Sequence, residues 1–428
     1  MTLEKLLDEL QTQNIFLSGG AGVGKSYLTN KIINVYEKLG KSVVALGSTG
    51  ISAVNIGGYT LHSFLLFGIA NSIEELKRND KRNKSRINEL KKIFLNLDLI
   101  VIDEISMVSA QLMDMIYYRL DSLGFNGRLM VVGDFYQLPP VKKNSANKNS
   151  MLFKEEVFAF ESSAWLRFDF KSIILTEVKR TSDSKFIEIL SKIRVGECDS
   201  SVKSFLQELR QKEPKYPVEP TYLFGRNVDA LTLNREKLAL IDSDELYYFW
   251  NIEKFRDVND KKLESWSKSL PIDEILSLKV GAPVIFTINQ WGKYVNGQRG
   301  VVVEVSSDKI VVRTNGKDIE LSQHSFEMTE LNPETLEAEV IATISQYPIK
   351  LAYAITIHKS QGMSIDFLNC NLDYLFASGQ LYVAISRATN PNFLKISYSR
   401  SDFNSYLDRV IVRNEQIDRF YEEISNES

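Results

Sequence analysis

The chain has 428 residues, 44% hydrophobic and 25% charged, with a formal net charge of −3. That length exceeds one hydrophobic core and calls for two to three domains, while the lack of a global basic field confines any nucleic-acid site to a local groove. Two cysteines far apart, Cys198 and Cys370, rule out a disulfide framework or a Cys-rich zinc site and fit a reducing compartment. The sequence has no apolar run of about 18 residues that could span a membrane, and the N-terminus is read as acidic and amphipathic rather than as a signal peptide.

Taken in chain order, the apolar run Ile15-Phe16-Leu17 predicts a strand, and Tyr27–Leu39 predicts a helix with Leu28, Ile32 and Tyr36 on one face. Between them lies Gly19-Gly20-Ala21-Gly22-Val23-Gly24-Lys25-Ser26, a phosphate-binding loop of the form G-x-x-x-x-G-K-[ST]. A strand feeding a Gly-rich turn and then a helix N-terminus aims backbone N–H groups at one point, where phosphate oxygens can sit. Lys25 is expected to reach the β- and γ-phosphates and Ser26 to ligate Mg²⁺.

Further buried strands are predicted at 42–46, 97–102 and 129–133, with a helix over Ser109–Leu123. The strand Leu99-Ile100-Val101-Ile102 ends in the pair Asp103-Glu104. At the C-terminal edge of a parallel sheet, Asp103 would hold Mg²⁺ through water and Glu104 would polarise an attacking water. The segment Val131 to Pro140 places Gln137 either as a γ-phosphate sensor or in an ordinary turn. Between the second and third of these strands, Lys77–Lys92 carries eight basic and two acidic residues. It reads as a solvated helical insertion or as a nucleic-acid contact. A second series of strands is predicted at Ile173–Leu175, Tyr222–Phe224, Ala352–Ile357, Leu368–Leu372 and Leu394–Ser397, with helices over Asn227–Leu240 and Gln380–Ala388. Residues 281–330 alternate in the β manner, with Asn296-Gly297 and Asn315-Gly316 as hairpin turns. The tail after Asp402 is acidic and helical in pattern.

Gly47 to Phe64, with Thr49, His62, Ser63 and Phe64 in it, resembles the extended motif of the petite-integration-frequency DNA helicases. These belong to superfamily 1B, together with the RecD and Dda helicases. The resemblance continues through Asp103-Glu104-Ile105-Ser106-Met107, Gly133 to Pro140, Leu351 to Gly362 and Gly379 to Ala388, in family order over residues 15–398. It implies an α/β fold of two RecA-like P-loop NTPase domains in tandem, at 1–64 with 94–168 and at 169–280 with 348–428. A short wedge insertion would occupy 65–93, and an SH3-like β-module 281–347, marked by Gly281-Ala282-Pro283-Val284 and Val295 to Gly300.

The resemblance further implies ATP and Mg²⁺ between the two domains. Gly362 would stand beside the phosphates, and Arg180 and Arg387 would act as arginine fingers in a catalytic set with Glu104 and Gln137. Single-stranded DNA would lie across Thr49, His62, Ser63 and Phe64 on one domain and Thr356, His358 and Lys359 on the other. For Phe64, core packing is an equal alternative. The implied activity is 5′-to-3′ translocation with unwinding of duplex at single-strand–duplex junctions, by a cytoplasmic monomer of bacterial or viral type, in repair, recombination or telomere maintenance. An RNA helicase, a motor subunit of a recombination nuclease and a nucleotide-switched binding module are the other readings. Two positions depart from the family pattern. Thr181 stands where glutamine usually follows the arginine, and Gln11 and Gln13 lie too near the first strand to be the adenine-reading glutamine.

Overall fold

Val-, Ile- and Leu-rich runs that are apolar on both faces belong in a sheet covered on both sides, and that is what they build. The computed structural model describes residues 3–68, 70–140, 158–288, 290, 293–294, 296–331 and 338–426. The chain divides into two units. The first comprises Met1–Lys179, Leu331–Glu339 and Arg413–Ser428, and the second Arg180–Glu330 and Val340–Val412.

The first unit is built on six strands: β1 (Asn14–Gly19), β2 (Val43–Gly47), β3 (Tyr59–Thr60), β4 (Leu99–Asp103), β5 (Arg128–Gly133) and β6 (Phe170–Leu175). They lie in the order β3-β2-β4-β5-β1-β6, with every pairing parallel. Helices Lys25–Lys38 and Ala110–Leu123 connect strands, and Ser109 caps the second by accepting from Leu112 N at 3.2 Å. The strand at 173–175, expected in the second series, instead pairs with β1 in the register Ile15↔Lys171 and Leu17↔Ile173. Its apolar run is the same in either sheet, and only the long-range pairing decides between them.

Most of segment 65–93 lies in two helices, Ile73–Arg82 and Lys84–Leu95. Their eight basic side chains are exposed. Their other face is not detachable: Leu76 and Leu90 belong to the main core of the unit, as do Leu65 and Phe67 ahead of the first helix. Arg119, fully buried on helix 110–123, grips Asp80 through two hydrogen bonds of 2.8 and 2.9 Å. The same guanidinium donates to the Leu65 carbonyl at 2.9 Å and lies over the Phe67 ring. Removing one partner from such a pair costs on the order of 3–5 kcal/mol, so the insertion is anchored along its length.

The acidic tail was expected in the second domain. Its last helix, Glu415–Asn426, belongs to the first unit. Ile417, Phe420, Tyr421 and Ile424, at the i, i+3, i+4, i+7 spacing of one helix face, are all buried there. Phe420 stacks on Phe160 at 4.3 Å and meets Phe16, Phe135 and Trp165.

The second unit holds a parallel four-stranded sheet in the order Ala354–Thr356, Thr221–Phe224, Leu368–Asn371, Leu394–Ser397. It also holds an antiparallel five-stranded sheet in the order Lys317–Leu321, Ile310–Thr314, Arg299–Val305, Pro283–Phe286, Ile349–Leu351. Asn315 and Gly316, both at positive φ, make the tight turn expected between two of its strands. Asn296-Gly297 does not close a two-residue hairpin; it sits in the longer connection between Phe286 and Arg299. Val295 lies outside the described residues. A Cβ at Gly300 would meet Val312 at 2.2 Å, so adjacent strands can close only over glycine there. Val284, Phe286, Val302, Ile310, Val312 and Ile349 fill this module's own core. Among the described residues, no helix is long and apolar enough to cross a membrane.

Candidate nucleotide and nucleic-acid sites

Neighbouring parallel strands deliver their C-terminal ends to one edge of a sheet. In the first unit β1, β5 and β4 are adjacent, and they carry the phosphate-binding loop, the Gly133–Gln137 turn and the Asp103-Glu104 pair. Segments more than 100 residues apart in sequence thereby share one edge.

The loop shows why two of its glycines are needed. A Cβ at Gly19 would stand 2.4 Å from the Leu175 carbonyl of β6, and Gly24, at φ 92°, precedes helix 25–38 in the left-handed region. Gly20, Ala21 and Gly22 are half-buried, and the Gly22 carbonyl accepts from Lys179 N at 2.7 Å. Val23 is buried. Lys25 Nζ donates to the carbonyls of Gly19 and Gly20 at 2.6 and 3.0 Å, which holds the ammonium over the loop. Ser26 is exposed at the start of the helix.

Glu104 takes φ 55°, a left-handed conformation that costs a non-glycine residue on the order of 1–3 kcal/mol. Its N–H donates to Asp103 Oδ1 at 2.9 Å. Burial, and next the charge of Glu104, push the Asp103 carboxyl up to about 7, against the pull of Lys25. Two adjacent carboxylates, one of them hard to ionise, fit a divalent cation, whose charge favours the ionised form. Ser26 and Asp103 suit a hard cation that keeps several of its waters.

Asp134 is fully buried and Gln137 nearly so. Gln137 N donates to the Asp134 carbonyl at 2.9 Å, closing the turn, and Tyr136 N reaches Asp134 Oδ1 at 3.3 Å. A residue that no local signal points to completes this turn. Tyr421, from the last helix, has its hydroxyl 2.7 Å from Ser18 Oγ, accepts from Phe135 N at 3.2 Å and lies 3.4 Å from Asp134 Oδ1. Its ring stacks on Tyr136, whose own hydroxyl donates to Asp418. One phenol thus ties the strand before the phosphate loop to the turn that carries Gln137. The tail reads only as acidic and helical in pattern, which does not say what Tyr421 would pack against.

The expected DNA residues of this unit divide. Thr49 caps helix 50–56, its hydroxyl accepting from Ser52 N while Ser52 Oγ accepts from Thr49 N, so it has a structural task as well. His62 and Ser63 are exposed. Phe64 is a core residue, its ring against Tyr59 and Phe94 at 5.5 and 6.2 Å. Of its two readings, burial favours packing, because both neighbours occupy the ring that a base would need.

In the second unit Arg180 and Arg387 lie side by side. Arg180 donates to the Ser386 carbonyl and Ser364 Oγ at 2.7 and 3.0 Å; Arg387 donates to the Val383 carbonyl at 2.9 Å and to Ser386 Oγ at 3.1 Å. Desolvation, and then the charge of Arg387, lower the Arg180 guanidinium to about 9. Two like charges held together by neutral oxygens favour an anion next to them. Thr356 is buried, with Oγ1 accepting from Lys359 N, and Lys359 is exposed. His358 is half-buried, which lowers its pKa, and Gly362 sits at φ 78° just beyond it.

The profile of PIF1-like helicases matches residues 3–204. An ATP-dependent DNA helicase Pif1 from Campylobacter jejuni is 42% identical, over 98% of this chain and 96% of that one. The chain belongs to the PIF1-like helicase family. A crystal structure of Bacteroides sp Pif1 in complex with ADP-AlF4 superposes with a TM-score of 0.82, at 28% identity, covering 100% of this chain and 97% of that one. Bacteroides Pif1 bound to ssDNA superposes with a TM-score of 0.65 at 27% identity, covering 99% and 96%. PIF1-like architecture accounts for both parallel sheets, which are the tandem RecA-like folds that the sequence implied.

Proposed function

We propose that this chain is an ATP-dependent DNA helicase that translocates 5′ to 3′ on single-stranded DNA and separates duplex at junctions. One observation carries the reading. Phosphate loop, acidic pair and Gln137 turn come together at the C-terminal edge of one parallel sheet, in a chain 42% identical over nearly its full length to an ATP-dependent DNA helicase. Gly19 to Ser26 bind the triphosphate, and Lys25 neutralises its β- and γ-oxygens. Ser26, and Asp103 through water, hold Mg²⁺, which bridges phosphate oxygens and offsets their charge. Glu104 orients the attacking water, and Gln137 senses the γ-phosphate. Gly362 contributes to phosphate binding, and Arg180 and Arg387 supply positive charge to the transferring group.

Thr49, His62, Ser63, Thr356, His358 and Lys359 meet the single strand, and the basic face of 77–92 receives duplex phosphates at the junction. The protein acts as a monomer. Its two free cysteines suit the reducing cytoplasm.

The deciding assay is strand displacement on 5′-tailed and 3′-tailed duplexes, in DNA and in RNA, with ATP and Mg²⁺. Displacement confined to 5′-tailed DNA is expected. Equal or better activity on RNA would replace the reading with an RNA helicase, and preference for the 3′ tail would reverse the polarity. Trimming 70–90 would remove Leu76 and Leu90 from the core, so the basic face is better tested by charge reversal. K81E, R82E and K84E together should lower unwinding more than they lower single-strand-stimulated ATPase, since the stimulating strand binds elsewhere. Equal losses in both rates would assign this face to general DNA binding.

A further inference from the structure

The connection from strand Leu368–Asn371 to helix Gln380–Ile385 leaves the C-terminal edge of the second unit's parallel sheet, where open α/β sheets bind ligands. It carries two aromatic side chains in water: Tyr374, 53% exposed, and Phe376, 69% exposed. Exposed rings on a loop are ordinarily mobile. These are held.

Gln380 is fully buried, and its Oε1 accepts from the backbone N–H groups of Phe376 and Ala377 at 2.7 and 3.1 Å. A buried carboxamide is thus used to set the backbone of an exposed phenylalanine. Tyr374 sits at φ 63°, and the Arg226 guanidinium lies over its ring at 3.8 Å. Arg226 is itself fixed by two hydrogen bonds to Asp229, of 2.8 and 2.9 Å. Gly225 makes the close approach possible, because a Cβ there would stand 2.9 Å from the Tyr374 carbonyl oxygen.

The Phe376 ring is nearly parallel to the imidazole of His358, 14° apart at 5.8 Å. Exposed cations border the Tyr374 ring, Arg226 at 3.8 Å and Arg400 at 5.9 Å, and exposed Lys359 follows His358 in the chain. An apolar protein partner would be met by an apolar rim. Rigid planar rings bordered by positive charge fit unpaired bases with their phosphates.

We propose that residues 374–378 form a preorganised base-stacking shelf, on which Phe376 stacks an unpaired base of single-stranded DNA, with Gln380 as its positioning residue. The assignment rests on the helicase reading for the identity of the ligand, and adds a contact made to a base rather than to the backbone. A base stack and a phosphate contact respond differently to removal of the base. The test therefore compares binding of oligothymidylate with binding of an abasic strand of equal length, by fluorescence anisotropy at fixed salt.

Phe376→Ala is expected to weaken oligothymidylate binding roughly 5- to 150-fold, the equivalent of one lost stack of about 1–3 kcal/mol at about 1.4 kcal/mol per tenfold. Abasic-strand binding should stay within about twofold of wild type. Phe376→Trp should restore affinity and Phe376→Leu should not, which separates stacking from apolar bulk. Equal losses on both strands, or no loss on either, would overturn the shelf while leaving the helicase reading in place. Failure of the unaltered protein to bind either strand would overturn both.

Discussion

Glu104→Gln is expected to abolish ATP turnover while leaving nucleotide and DNA binding in place. Glu104 follows the last residue of β4 in a left-handed conformation, beside a buried aspartate whose own proton affinity it raises. Glutamine nearly keeps the volume but loses the charge that, in the proposed role, orients water and accepts its proton, a contribution of roughly 10²–10⁴ in rate for a positioned base. Steady-state ATPase with saturating single-stranded DNA reads the loss, and titration with a fluorescent nucleotide reads the binding that should persist. Turnover above about a tenth of the wild-type rate would remove Glu104 from the role. Lys25 is the useful contrast. In the proposed mechanism its ammonium acts on the bound phosphates, so Lys25→Ala should weaken nucleotide binding itself.

The larger effect is expected in the second unit. Arg387→Ala and Arg180→Ala should each lower turnover on the order of 10³–10⁵, with a much smaller change in ATP affinity. The reason is electrostatic. The two guanidiniums repel each other, and in the proposed mechanism charge developing on the transferring phosphoryl group would relieve that repulsion where ground-state binding does so less. Arg387 is 2% exposed and bonds to the Val383 carbonyl, so truncation also removes structural contacts. Arg387→Lys keeps a charge in the same place and loses the planar fork. It should melt closer to wild type and still turn over slowly. Near-wild-type hydrolysis by both alanine variants would mean that the nucleotide site is complete within the first unit.

Legibility followed the range of the interactions involved. The phosphate loop and Asp103-Glu104 lie in short contiguous motifs whose geometry is local, so residue type and spacing were enough to single them out, whereas Arg387 stood out only through the family resemblance. Helix 110–123 announced itself by periodicity. Three features turned on distant partners. The strand 170–175 looked like any other apolar strand until it paired with β1. Phe64 could stack or pack until Tyr59 and Phe94 closed on it. Segment 77–92 showed its charge, but not that Arg119 holds Asp80 from beneath.

By itself, then, the sequence determined the two α/β folds and the phosphate-binding loop that points to a nucleoside triphosphate, because backbone closure around phosphate demands particular residues at fixed spacing. Tertiary structure alone decided what supports those residues. Tyr421 lies 403 residues from Ser18 and 287 from Asp134, yet its hydroxyl reaches both. Gln380 sets the backbone of an exposed Phe376, and the last helix completes the first unit's core. A buried hydroxyl or carboxamide has no preferred sequence partner. It bonds to whatever polar group the packing of apolar faces brings within about 3 Å, and that packing depends on the whole chain.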